Sequence, residues 1–297
     1  MIIPLPPAHA VRLAYINRLF EITHHFRAPT DVSVSSDGRI YVVDGVHHEI
    51  KIFTRNGEFQ SSLGRKGSRN GEFDSPLGIA VDGSGRAYIA DSGNHRVQIF
   101  NPDGSFAASI DIPPGNLHPA DPTDVAVDAS RNTCYVVDND NHRVLVYNLK
   151  TFKLIGSFGE PGTGRREFRY PFLLALNADG YLHIVDVLNT RVQVLSPEGF
   201  FVSVIGAWGV EKGEFFRPKG VAIDRQGRVY VSDSYMGVIQ VFEAGGDFWA
   251  VIGDPKEKTV KRFKTPTGIF IDNDNRLYVV ETFADKVSVY SLGAESE

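Results

Sequence analysis

Short apolar runs rich in Val, Ile, Tyr and Phe alternate along this chain with turns of Gly, Asp, Asn and Pro. The stretch from Ser75 to Ile110 shows the plan. Ile79–Asp82 is a short apolar strand, and Gly83-Ser84-Gly85 a turn. Arg86–Asp91, Arg96–Phe100 and Ser105–Ile110 follow as strands, separated by Ser92–His95 and by Asn101–Gly104. Such a pattern predicts a four-stranded antiparallel meander. The second strand ends in a signature that recurs: Tyr41–Asp44, Tyr88–Asp91, Tyr135–Asp138, His183–Asp186, Tyr230–Asp233 and Tyr278–Glu281, at intervals of 47, 47, 48, 47 and 48 residues. A small all-β unit repeated at this period closes into a propeller.

Other features keep the same register. A leading proline recurs as Pro29, Pro76, Pro122, Pro171, Pro218 and Pro266. A phenylalanine stands three residues before it at Phe26, Phe73, Phe168, Phe215 and Phe263, with Pro119 in that place in the third unit. These aromatic rings are expected to pack between units, because each unit must cover its faces with its neighbours. The sixth unit stops after its third strand, at Val289–Leu292, while Arg12–Phe20 is a strand-like run belonging to no unit. The predicted fold is therefore all-β: a six-bladed β-propeller of four-stranded antiparallel blades, closed by an N-terminal strand that completes the last blade. One domain spans 1–297, with 1–25 as lead and latch strand and six repeats from about 26 to 292.

The composition is that of an ordinary globular protein, 42% hydrophobic and 23% charged. A net charge of −5 argues against wholesale polyanion binding but leaves room for a local basic patch. The single cysteine, Cys134, lies in a predicted central strand, so an intramolecular disulfide is excluded and a buried, inert thiol is expected. No apolar run is long enough to span a membrane. The start, Met1–Leu13, lacks the regions of a signal peptide. The expected location is periplasmic or extracellular where an export signal has been removed, and otherwise cytoplasmic.

Asp91-Ser-Gly-Asn94-His95-Arg96-Val97-Gln98-Ile99-Phe100 and Asp138-Asn-Asp-Asn141-His142-Arg143-Val144 resemble the signature of NHL repeats. Asp186-Val-Leu-Asn189-Thr190-Arg191-Val192-Gln193-Val194 is a looser copy, and the resemblance covers roughly residues 26–292. It implies a six-bladed propeller, and the absence of Trp-Asp at blade ends argues against the WD40 type. It does not imply one function: relatives include RNA-binding modules, sensor domains of bacterial surface kinases, exported bacterial proteins and a metal-dependent peptide-amidating lyase. Pro4-Leu5-Pro6-Pro7 before a latch strand is similar to the start of exported bacterial members.

In the Asn-His-Arg motif, each arginine (Arg96, Arg143, Arg191) is expected to meet the aspartate ending the preceding strand (Asp91, Asp138, Asp186). The motif fails in units 1, 5 and 6, at His47-His48-Glu49, Met236-Gly237-Val238 and Ala284-Asp285-Lys286, which are neighbours in a closed ring. Rules broken together in one sector mark either a site or drift of end repeats. His47-His48 has no Cys or spaced His partner, so no metal site is assigned to it. Asp138-Asn139-Asp140 and Asp272-Asn273-Asp274 do not continue into a calcium loop. No Gly-x-Ser-x-Gly elbow or His-Glu-x-x-His is present, and Gly162-Thr163-Gly164-Arg165 precedes no helix. No catalytic residue, cofactor or metal is assigned.

Four connectors between units, 64–75, 159–170, 206–219 and 253–265, hold 14 basic residues against 8 acidic ones in a chain acidic overall. In a propeller they share a face with the turn after each second strand. The expected binding face comprises His47, His48, Arg65, Arg69, Arg165, Arg166, Tyr170, Phe172, Trp208, Lys219, Tyr235, Met236 and Phe283, basic groups for an acidic partner and aromatic rings as anchors. The reading that follows is a non-catalytic scaffold for a protein or peptide partner. The alternative is single-stranded RNA, with phosphates on the cations and bases on the rings. A third reading is a metal-dependent lyase or hydrolase with His47 or His48 near a channel metal.

Overall fold

The computed structural model describes residues 11–116 and 118–293, so the Pro4–Pro7 segment lies outside the described residues. The fold is a six-bladed all-β propeller. Blade 2 runs Pro76–Val81, Ala87–Asp91, Arg96–Phe100 and Phe106–Asp111 from the inside outward, each strand antiparallel to the next. Blades 1, 3 and 4 are likewise separate four-stranded sheets. The signature runs are the second strands of their blades, fully buried in Ile40–Asp44, Ala87–Asp91 and Val229–Asp233. Burial on both faces explains why these strands read as continuous apolar runs rather than as alternation.

The cores lie between blades. Phe73 is buried among Tyr41 and Val43 of blade 1 and Ile79 and Ile89 of blade 2. Phe168, Phe215, Phe263 and Phe26 occupy the same place at other interfaces. At the second-to-third interface, which lacks this ring, Ile112 and Ala120 fill the space. Cys134 is fully buried there, and burial pushes its thiol up to about 12.

The closing strand is Leu13–Ile22. It runs antiparallel to Lys286–Leu292 from Ile16↔Leu292 to Ile22↔Val287, completing blade 6. Its first residues do more than the sequence predicts: Leu13, Ala14 and Tyr15 pair in parallel with Val251, Ile252 and Gly253 of blade 5, joining the last two blades into one sheet. Gly253 permits this approach, since a Cβ there would lie 2.8 Å from that of Leu13. The register shifts between Arg18 and Phe20. Alternation alone would send Ile16 and Ile22 to the same face; the bulge residue reverses the parity. Ile16 therefore enters the core between blades 5 and 6, and Ile22 the core between blades 6 and 1.

The carboxylate ending each second strand is the repeated polar hinge. It accepts a backbone N–H from the incoming connector, seventeen residues earlier, in every blade: Arg27 to Asp44, Asp74 to Asp91, Asp121 to Asp138, Arg169 to Asp186, Phe216 to Asp233 and Lys264 to Glu281. The expected arginine pairs form, with Nε–Oδ2 distances of 2.8 Å for Arg96–Asp91 and Arg143–Asp138 and 2.9 Å for Arg191–Asp186. The remaining blades satisfy the carboxylate otherwise. Lys51 meets Asp44 at 2.7 Å, and Lys286 meets both Glu281 and the latch residue Glu21. Asp233 accepts the N–H groups of Tyr235 and Met236 as well as those of Phe216 and Arg217.

Candidate functional site

The connectors and the turns after the second strands lie together on one face. Gly93 N donates to Asp74 O, and Asn94 Nδ2 to Gly67 O, so each connector packs on the turn of the blade it enters. The residue before each third strand adopts a left-handed conformation: His48 (φ 57°), His95 (55°), His142 (54°), Thr190 (52°), Gly237 (66°) and Asp285 (50°). His48 Nδ1 accepts Ser75 N and His142 Nδ1 accepts Tyr170 N, tying each turn to the following blade. Asp285 Oδ1 does the same for Ala28 N across the closure of the ring. At this position the departures in blades 1, 5 and 6 are alternative solutions to one structural demand. Gly237 fits it through its backbone freedom, and Asp285 through its acceptor oxygen.

A different position in the same turn asks for no such side-chain acceptor, although its backbone N–H meets the connector in blades 2 and 4. Two residues after the hinge carboxylate stand Val46, Gly93, Asp140, Leu188, Tyr235 and Phe283 in blades 1 to 6. Leu188 (51% exposed), Tyr235 (68%), Phe283 (68%) and Val46 (46%) place an exposed apolar side chain at this position on each of the adjoining blades 4, 5, 6 and 1, an arc of such residues. Trp208 (73%) and Val210 extend it on the connector leading to blade 5. The turns and bends of the opposite face contribute one comparably exposed aromatic among the described residues, Phe200.

The other expected face residues have varied roles. Tyr235 stacks on Phe216, and Tyr170 meets His142 edge-on. Met236 O accepts Arg262 Nη1. His47 Nδ1 lies 2.9 Å from Asp44 Oδ2. Arg65 and Arg69 both donate to Glu72, which consumes much of the basic character of the first connector. Arg165 sits over the Phe201 ring toward the outer edge, and Arg166 N donates to Gln193 Oε1. In the loop 162–165 the Gly164 N–H is already held by Glu167 Oε2. Among the described residues no three His, Cys, Asp or Glu side chains converge as a metal-ligand set.

Lys219 and Phe172 line a cavity of about 390 Å³ above the channel, with Leu77, Tyr170, Val187, Leu188, Asn139, Asp121 and Arg217. Lys219 Nζ lies 4.1 Å from the centre of the Phe172 ring. Burial, and the neighbouring Arg217 charge, lower the affinity of this ammonium for its proton. Beneath is a channel cavity of about 270 Å³ lined by the six innermost strands. The residue two after the leading proline is Asp31, Gly78, Asp124, Leu173, Gly220 or Gly268 around the ring. Asp31 Oδ2 accepts Ile79 N at 3.0 Å, and Asp124 Oδ2 accepts Leu174 N at 2.8 Å. A Cβ on Gly268 would lie 2.3 Å from Asp31 Oδ1, and one on Gly78 2.5 Å from Asp124 Oδ1, so these glycines make room for the carboxylates. Burial pushes Asp31 up to about 7; burial and the Asp31 charge push Asp124 well up. This pair escaped the sequence reading, although comparing the six units at that one position would have exposed it.

Fold, hinge carboxylates and left-handed turns together define a six-bladed repeat propeller with a decorated connector face. The chain matches the family described as NHL repeat over residues 26–53, 73–100, 120–147 and 215–242, so four of the six units of this propeller carry NHL repeats. A curated relative, NHL repeat-containing protein 3 of Mus musculus, is 31% identical over 102 residues, covering 33% of this chain. That match spans 29% of the mouse protein's length. A streptogramin B lyase structure superposes with a TM-score of 0.65 at 14% identity, covering 94% of this chain and 98% of that one. A virginiamycin B lyase of Staphylococcus aureus, an inactive variant crystallised with quinupristin, gives 0.64 at 14% identity, covering 92% and 83%. These likenesses are ones of fold. No helix among the described residues is long and apolar enough to cross a membrane.

Proposed function

We propose that this protein is a non-catalytic binding propeller whose connector face receives a protein or peptide partner. The observation that carries the reading is the apolar arc of Leu188, Tyr235, Phe283 and Val46. Apart from the stack of Tyr235 on Phe216, these side chains are mostly exposed, and scattered exposure would not place them at one repeat position on adjoining blades. Exposed apolar side chains grouped on one face are a usual feature of a contact site, with aromatic rings as anchors. Single-stranded RNA is the weaker reading, because Arg65 and Arg69 are both engaged by Glu72 rather than free for phosphates.

The test is capture of a partner by immobilised protein, repeated with a Tyr235→Ser/Phe283→Ser variant and with Phe200→Ser on the opposite face. The expected result is loss of the same partner with the double variant only. Equal capture by all three proteins sinks the choice of face. For RNA, a titration with random single strands at low salt is expected to show no binding.

A further inference from the structure

The ring position directly after the leading proline carries Thr30, Leu77, Thr123, Phe172, Lys219 and Thr267. The threonines fasten the inner strands to one another: Thr30 Oγ1 donates to Leu77 O, Thr123 Oγ1 to Phe172 O and Thr267 Oγ1 to Thr30 O. Lys219 replaces such a threonine and makes no hydrogen bond or ion pair among the described residues; its ammonium rests over Phe172. The Arg217 guanidinium, on the same wall, has no acceptor among the described residues either. Two cations thus face one cavity without an ion pair among the described residues, one of them half-buried and one exposed, although the Asp121 carboxylate shares the wall. Such an arrangement is costly unless an anion completes it.

We propose that Arg217 and Lys219 hold the carboxylate of a ligand whose apolar body lies on Phe172 and Leu188. The cavity, about 390 Å³, is of the size that takes a small ligand or the end of a peptide. The guanidinium fork matches a carboxylate, and the ammonium adds a second charge-assisted bond. Phe172 and the half-exposed Leu188 give the floor its apolar character. Asp121 forms part of the wall, with Asp138 and Asp140 acting on it. That negative side disfavours a dianion and selects a singly charged group. The carboxylate belongs to either a peptide C-terminus or a free small acid. The inference rests on the connector face being the binding face, and it names the chemistry of what binds there.

The experiment is isothermal titration of the full chain with N-acetyl-phenylalanine, its amide, inorganic phosphate, 3-phenylpropionate and an N-acetylated peptide ending in Phe. The acid is expected to bind at least about tenfold more tightly than the amide, as a charged hydrogen bond lost would dictate. Lys219→Met and Arg217→Gln should each remove most of that preference; having two variants covers the case in which one fails to fold. Tighter binding of the peptide than of 3-phenylpropionate identifies a peptide C-terminus as the source, and the reverse a free acid. Equal binding of acid and amide, preference for phosphate, no binding of any probe at millimolar concentration, or an unchanged preference in both variants overturns the proposal. The capture experiment reads Tyr235 and Phe283, which do not line this cavity, so it can succeed where this titration fails.

Discussion

The latch strand makes a quantitative prediction. Ile16 and Ile22 are both buried, but the bulge between Arg18 and Phe20 sends them into different cores. Ile16 packs with Ile239, Ile252 and Tyr290 between blades 5 and 6; Ile22 packs with Val32, Phe53 and Val287 between blades 6 and 1. Truncating a buried isoleucine to alanine costs about 2–5 kcal/mol. The two residues belong to separate clusters, so their effects should add. Ile16→Ala/Ile22→Ala is then expected to lose about 4–10 kcal/mol, most of a typical stability of about 5–15 kcal/mol. Leu19→Ala is the control, since Leu19 is 46% exposed on the same strand and should change stability by less than about 1 kcal/mol. Urea denaturation of the wild type, the two single variants, the double variant and Leu19→Ala measures this through the midpoints. If Ile16→Ala or Ile22→Ala moves the midpoint no further than Leu19→Ala, the ring is not held by this strand. Deleting residues 1–22 should be harsher still, because it also exposes the strand edges of Lys286–Leu292 and Phe248–Asp254.

Three further outcomes are expected. Asp91→Ala removes the acceptor for the buried Arg96 and for Asp74 N, and should lower stability by about 3–5 kcal/mol in thermal unfolding; a change below 1 kcal/mol would refute the hinge role. Cys134, with its thiol pushed up to about 12 by burial, should resist a thiol reagent until the protein unfolds, so stoichiometric labelling of the native chain would count against its placement. Because burial raises Asp31 to about 7, the folded state keeps a proton that the unfolded state releases above the ordinary carboxylate range. Its contribution to stability therefore falls as pH rises from about 4 to about 7, and Asp31→Asn should gain on the wild type at about pH 8 relative to about pH 4.5 by on the order of a few kcal/mol. Melting differences equal at both pH values would remove Asp31 from the account.

Much of the fold was legible because repetition exposes structural demand. The 47- or 48-residue spacing, the leading prolines and the phenylalanine before them each answer to a requirement that every blade shares. The arginine–aspartate pairs followed from spacing and charge, and they form. The parallel joint at Leu13–Tyr15 did not follow, because nothing in a strand's own pattern says that it will bridge two sheets. Local charge counting also reached its limit at the first connector. Glu72 binds both Arg65 and Arg69, so three charges leave far less field than two free cations would. Tyr235 and Phe283 were legible as aromatic rings in the turns, but the Asp31–Asp124 pair and the Val46 and Leu188 members of the arc were missed for a common reason. Both occupy positions that vary among blades, and a search for what repeats passes over them.

Those variable positions separate function from architecture. The left-handed turn and the hinge carboxylate are met in all six blades, by histidine, threonine, glycine or aspartate in one case and by aspartate or glutamate in the other. Substitutions there preserve a bond or a backbone conformation and need no ligand to explain them. The side chains of Val46, Tyr235, Phe283 and Leu188 serve neither; they place apolar surface in water where blade 3 carries Asp140, and where blade 2 has Gly93 because a Cβ there would meet Asp74 O at 2.8 Å. The arc reaches Leu188, which also lines the cavity of Lys219 and Arg217. A peptide laid along the arc would thus bring its end, and with it one carboxylate, to Lys219 and Arg217, which make no ion pair among the described residues.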